Sequence, residues 1–61
     1  MEKLMLTPEE VGDALGVGRS TVYDLLRLKK LPSVRIGRSR RVRVEDLRDY
    51  VNRLMEAPVH Q

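Results

Sequence analysis

The chain has 61 residues, no cysteine, one histidine and a formal net charge of +3. One domain is the most such a chain holds, and a disulfide framework or a thiolate metal site is ruled out by composition. His60 sits next to the last residue, where chains fray, so neither a metal centre, a histidine-based catalytic centre nor a cofactor is expected.

No apolar run approaches the roughly 18 residues of a membrane span. Met1-Glu2-Lys3-Leu4 lacks the charged-then-apolar layout of a signal peptide. A cytoplasmic protein with no membrane partner is the expectation.

Leu6-Thr7-Pro8-Glu9-Glu10-Val11 reads as a helix start. Thr7 is the N-cap, and Pro8 takes the first helical position, where its missing N–H costs nothing. Glu10 completes a capping box with Thr7, and Glu9 and Glu10 suit the positive end of the helix dipole. Leu6 is expected to staple onto Val11. Val11, Ala14 and Leu15 form the core face, and Gly16 ends the helix in a left-handed conformation. In the turn Gly16-Val17-Gly18, the apolar Val17 is expected to plug the gap between two helices.

A second helix is predicted from Arg19 to Leu28. Val22, Leu25 and Leu26 share one face at i, i+3, i+4 spacing, which leaves Ser20, Tyr23, Asp24 and Arg27 on the opposite side. Helix, short turn and helix together fit the DNA-binding bihelical motif.

Leu31-Pro32 breaks that helix. Ser33-Val34-Arg35-Ile36 and Arg41-Val42-Arg43-Val44 alternate with period two around Gly37-Arg38-Ser39-Arg40, the pattern of a β-hairpin. Val34, Ile36, Val42 and Val44 are predicted to face inward. The solvent face and tip carry five arginines and no acid.

A third helix starts near Glu45-Asp46, with Leu47, Tyr50, Val51 and Leu54 as its buried stripe. The fold expected is mainly α with a small β-hairpin, in the order helix, turn, helix, strand, strand, helix. A single domain is expected over residues 1–61, ordered from about residue 4 to 55, with a flexible tail over 56–61.

Positive charge is concentrated in one stretch. Residues 19–43 hold nine bases and one acid, Asp24, whereas the segments on either side are net acidic. Such clustering is the electrostatic footprint of a nucleic-acid surface.

In this order and spacing the chain resembles the excisionase-type DNA-binding domains, small relatives of the MerR winged-helix family. The segments that carry the likeness are Leu6 to Val11, Leu15-Gly16-Val17-Gly18-Arg19-Ser20-Thr21-Val22-Tyr23, Leu31-Pro32, Val34-Arg35-Ile36-Gly37-Arg38 and Asp46-Leu47. With the helix that follows Asp46-Leu47, the likeness covers residues 6–54, nearly the whole chain. Three positions depart from the family pattern. Gly18 stands where a capping side chain is usual, Lys29 where a glycine often follows the second helix, and Arg40 where the wing often carries an aromatic. Lys29 then either takes a left-handed conformation, at a penalty of roughly 1 kcal/mol, or the helix runs on.

A helix-turn-helix lays its second helix in the major groove, which makes Arg19, Ser20, Thr21, Tyr23, Asp24 and Arg27 the available readers. Arg19 is suited either to reading guanine through its N7/O6 edge or to clamping a phosphate. Ser20 and Thr21 can touch bases or donate to phosphate, although Thr21 lies nearer the buried side. Tyr23 is expected at a phosphate or sugar. Asp24 can accept from a cytosine amine, or orient Arg27 or Arg19. In the wing, Arg38 and Arg40 at the tip suit a narrow minor groove, Arg41 and Arg43 suit phosphates, and Arg35 suits either.

The function expected is double-stranded DNA binding without enzymatic activity. The resemblance implies an excisionase that bends attachment-site DNA, directs a cognate integrase and lines up head to tail on the nucleoid. A small transcriptional regulator of the same fold is the alternative, and a protein-interaction module for an acidic partner is a third reading.

Overall fold

The computed structural model describes residues 3–56. The elements run β1 (Met5–Leu6), α1 (Pro8–Leu15), α2 (Arg19–Arg27), β2 (Val34–Ile36), β3 (Ser39–Arg43) and α3 (Val44–Glu56). The mainly helical architecture with a hairpin wing is the one expected from the sequence. α3 reaches Glu56; the rest of the tail expected to be flexible lies outside the described residues.

α1 starts as its sequence dictates. The Thr7 backbone is extended, the Glu10 N–H donates to Thr7 Oγ1 at 3.1 Å, and the Thr7 N–H donates to Glu10 Oε1 at 2.9 Å. These bonds satisfy donors that a helix start otherwise leaves open. Lys3 also pairs with the Glu10 carboxylate. Gly16 ends α1 in the left-handed region, with φ 73°.

The turn between α1 and α2 closes differently from expectation. The Val17 side chain is 40% exposed and plugs nothing. Its backbone makes the contact instead: the Val17 N–H donates to the Gly12 carbonyl at 2.9 Å. A β-carbon on residue 12 would lie 2.9 Å from the Val17 carbonyl oxygen. Gly12, in mid-helix, is therefore what lets the turn lie flat on α1.

α2 begins at Gly18, an N-cap without a side-chain bond, and ends in a Schellman turn. The Lys30 N–H donates to the Leu25 carbonyl at 2.9 Å and the Lys29 N–H to that of Leu26 at 3.2 Å. This geometry demands a left-handed residue, and Lys29 supplies it with φ 60°. Of the two conformations open to Lys29, the chain takes the left-handed one. Lys29→Gly should accordingly raise stability by about 1 kcal/mol, a thermal midpoint gain of about 4–8 °C for a domain of this size. A midpoint that falls would show that no strain resides there.

The turn swings Leu31 into the core at 1% exposure. Val11, Val22, Leu26, Leu31, Val42 and Leu47 form that core, with Leu6, Leu15, Leu25 and Tyr50 packed at its edge. Leu31 was expected only as a helix breaker. Conversely, Ala14 is exposed and Leu54 is 57% exposed, so the α1 and α3 stripes are narrower than their periodicity implies. Val44 is half-buried.

The sheet is three-stranded and antiparallel, in the order β1-β3-β2. β1, which the sequence patterns do not predict, sets Leu6 opposite Val42 and Met5 opposite Arg43. On the other edge, Val34 pairs with Arg41, Arg35 with Arg40 and Ile36 with Ser39. The turn is therefore the two residues Gly37 and Arg38, with Gly37 at φ 63°, and not the four residues Gly37 to Arg40 expected: Ser39 and Arg40 pair with Ile36 and Arg35 as part of β3, and Val44 begins α3. A glycine in that conformation at the first turn position suits the type II′ hairpin.

This register overturns one expectation. Directly opposed residues share a face, so Val34 and Ile36 stand with Arg41 and not with the buried Val42. They are 37% and 57% exposed. The cause is parity. A loop with an even number of residues sets Val34 opposite an odd-numbered residue of β3, hence opposite arginine; only an odd loop would have brought it beside Val42.

Candidate nucleic-acid interface

The α2 side chains proposed as readers all reach solvent. Arg19, Ser20, Thr21, Tyr23, Asp24 and Arg27 are exposed, Thr21 included despite its expected lean toward the core. The burial of Val22 and Leu26 turns the other face of the helix outward.

A groove runs between α2 and the wing. Tyr23, Asp24, Arg27 and Lys29 line one side, and Arg35, Arg38 and Arg40 the other. The structure thus brings the C-terminal half of the helix face together with three wing arginines. Arg19, Ser20 and Thr21 lie outside this groove lining, toward the start of α2. Arg41 and Arg43 belong to the opposite face of the wing, where they pair with Val34 and Met5. Lys29 was not among the DNA-contact residues expected from the sequence. Its left-handed backbone, which the family's preference for glycine hinted at, is what sets it on this rim.

Local ion pairs orient several of these groups. Arg27 Nη2 lies 3.2 Å from Asp24 Oδ1, so Asp24 orients Arg27 and not Arg19. Arg19 Nη2 lies 3.2 Å from Glu9 Oε2, and its guanidinium carbon sits 6.0 Å from the Tyr23 ring centroid. Both partners of the Arg19–Glu9 pair are about half exposed or more, and such pairs are worth roughly 0–1 kcal/mol. Arg19 is held ready but not held fast. Arg41 donates from Nη1 to the Arg40 carbonyl at 2.9 Å, which keeps its side chain along the strand.

Arg43 is engaged differently. Its Nε and Nη2 donate to the two Asp46 carboxylate oxygens at 2.7 and 2.9 Å, and Nη1 lies 3.2 Å from Glu45. The Arg43 bond pulls the Asp46 carboxyl below its usual range, and the same contact raises the Arg43 pKa. This bidentate pair joins the end of the wing to the first turn of α3.

Glu10 is likewise held below its ordinary value, first by the hydrogen bond from Lys3 and then by the Thr7 N–H. A carboxylate with a lowered folded-state pKa contributes stability above its unfolded value and loses it as pH falls through the folded one. The ordinary values are 4.5 for Glu10 and 3.8 for Asp46. Thermal midpoints should therefore decline from about pH 5 downward. Glu10→Gln with Asp46→Asn should flatten that decline, and a double variant with the parent's acid sensitivity would place it elsewhere.

Comparison with known proteins bears on the family of the chain. Residues 5–55 match the family described as "Helix-turn-helix domain". The chain is 47% identical over 47 residues to a protein named "Excisionase" from Streptomyces ambofaciens, covering 77% of this chain and 76% of that protein. It is 42% identical over 53 residues to a "Probable excisionase" from Saccharopolyspora erythraea, covering 87% of this chain and 54% of the relative. It is also 46% identical over 54 residues to the uncharacterized protein YvgK of Bacillus subtilis (strain 168), covering 18% of that protein. The chain thus spans about half and about a fifth of the length of these last two. No solved structure gives a significant match. Among the described residues no helix is long and apolar enough to cross a membrane. By fold, motif order and relatives, the chain belongs to the excisionase-type helix-turn-helix family of DNA-binding domains.

Proposed function

We propose that the protein acts as an excisionase, a factor without catalysis of its own that binds and bends duplex attachment-site DNA and turns a cognate integrase toward excision. The observation that carries the reading is the arginine-lined groove between the exposed face of α2 and the wing, in a chain that is 47% identical to a named excisionase. α2 enters the major groove, with Arg19 at its start and Arg27 at its end. Arg38 and Arg40 enter the neighbouring minor groove, whose negative potential draws guanidinium. Tyr23, Ser20, Thr21, Arg35 and Arg41 contact the backbone or base edges around them. Asp24 keeps Arg27 in place, and Arg43 serves mainly to hold α3 against the wing.

One module of this kind covers roughly 600–1,000 Å², little for tight specific binding. Several copies therefore bind side by side, head to tail, with the acidic α1 and α3 starts of one copy near the basic groove of the next. The site of action is the chromosome in the cytoplasm.

Footprinting the purified protein on its host's genomic DNA tests the reading. Tandem protected sites beside an integrase attachment site are expected. Protection confined to promoters would instead make the protein a transcriptional regulator on the same scaffold.

A further inference from the structure

The wing carries two apolar side chains on its outer face. Ile36 is 57% exposed and Val34 37%, and the register fixes them on the face away from the buried Val42. Ile36 is the last residue of β2, directly before the Gly37-Arg38 turn, so it stands at the end of the hairpin. Ser39 lies directly opposite it, and arginines flank the pair along the hairpin. Arg38 lies in the turn, and Arg41 lies across from Val34 on the same face.

An apolar projection on a hairpin that also carries Arg38 and Arg41 suits few surfaces. A second copy meeting this face symmetrically would set arginine against arginine. A purely apolar partner would strip the arginines of water without pairing them. A DNA minor groove satisfies both parts, because phosphates line its edges while sugars and base steps lie between. Proteins that bind there insert branched or aromatic apolar side chains at a base step, unstack it partly and kink the duplex by about 20–90°. Burial of the wedge offsets the unstacking, and the flanking arginines hold the bent backbone.

We infer that Ile36, braced by Val34, is a wedge that the wing drives into a base step of the minor groove, and that this insertion is a main source of DNA bending. The inference rests on the proposed entry of the wing into the minor groove, and it deepens that reading by naming the side chain that deforms the DNA.

The test uses a duplex selected by the protein from random sequence, with dyes at its ends for energy transfer and 2-aminopurine at the bent step. Wild type, Ile36→Ala and Ile36→Leu are compared at saturation. Ile36 is exposed, so both variants should keep the parent's circular dichroism and thermal midpoint. Wild type should bend the duplex and raise 2-aminopurine emission. Ile36→Ala should lose at least half the bend and the emission change, with affinity reduced only a few-fold, and Ile36→Leu should restore both. A full bend in Ile36→Ala overturns the wedge while leaving the DNA-binding function intact. So does self-association without DNA that Ile36→Ala abolishes, which would assign the patch to a second copy. A wild-type protein that does not bind duplex DNA overturns the functional reading itself, and the wedge with it.

Discussion

Leu31→Ala is expected to lower the unfolding free energy by about 2–5 kcal/mol, the range for truncating a buried leucine. Leu31 is 1% exposed and sits among Val11, Val22, Leu26, Val42 and Leu47. Domains have roughly 0.05–0.15 kcal/mol of stability per residue, which for 61 residues is about 3–9 kcal/mol. The substitution would thus remove a large share of the total. Among the described residues the core is formed by six side chains, so neighbours have little freedom to close the gap. Urea titration should show a lower midpoint at unchanged slope. A loss below about 0.5 kcal/mol, typical of a surface site, would contradict the packing described.

The second large effect lies in DNA binding. Arg38→Ala and Arg41→Ala should each weaken duplex binding by about tenfold or more, since hydrogen bonds to charged groups are worth about 1.5–3 kcal/mol. Each should also flatten the dependence of log K on log salt by about one unit for every phosphate left without its arginine. The double variant should flatten it by about two units. Arg43→Ala is the internal comparison. Its guanidinium is bound to Asp46 and Glu45, so its removal should lower the thermal midpoint at neutral pH and flatten the decline in acid, while leaving the salt slope nearly unchanged. Unchanged affinity and slope in both Arg38→Ala and Arg41→Ala would remove the wing from the interface.

Much of this fold is written in local signals. The Thr7–Glu10 capping box, the Gly16 stop, the inward face of Val22 and Leu26 and the existence of two hairpin strands follow from residues close together in the chain, and the structure has them, although β3 starts two residues earlier than the alternation implies and Val44 begins α3. What local patterns missed depends on distant partners. β1 is two residues long and exists only because β3 lies beside it. Leu31 is buried because the Schellman turn at Lys29 redirects the chain, and a proline neighbour masked it as punctuation. Gly12 offered a signal, since a glycine inside a helix pattern often marks a close approach, but the approaching atom belongs to Val17, beyond the end of that helix.

The proposed site divides along the same line. Helix periodicity exposed the α2 face directly, because 100° per residue leaves no choice once Val22 and Leu26 are buried. The wing was harder. Alternation identifies two faces but not which of them meets the core, and parity sends Val34 and Ile36 outward for any even turn, the four-residue Gly37–Arg40 turn expected from the sequence included. Arg43 looked like its neighbours in sequence. Only the fold brings the end of β3 against the first turn of α3, where Asp46 takes hold of it.

Dimethyl sulfate footprinting of the protein on its selected duplex tests the central claim most directly. The reagent methylates guanine N7 in the major groove and adenine N3 in the minor groove, so one reaction reports both α2 and the wing. Protection of guanines within each site and of adenines in the adjoining minor groove is the predicted result, with Arg38→Ala losing only the adenine signal. Binding that leaves both positions fully reactive would contradict the placement of α2 and the wing in the two grooves.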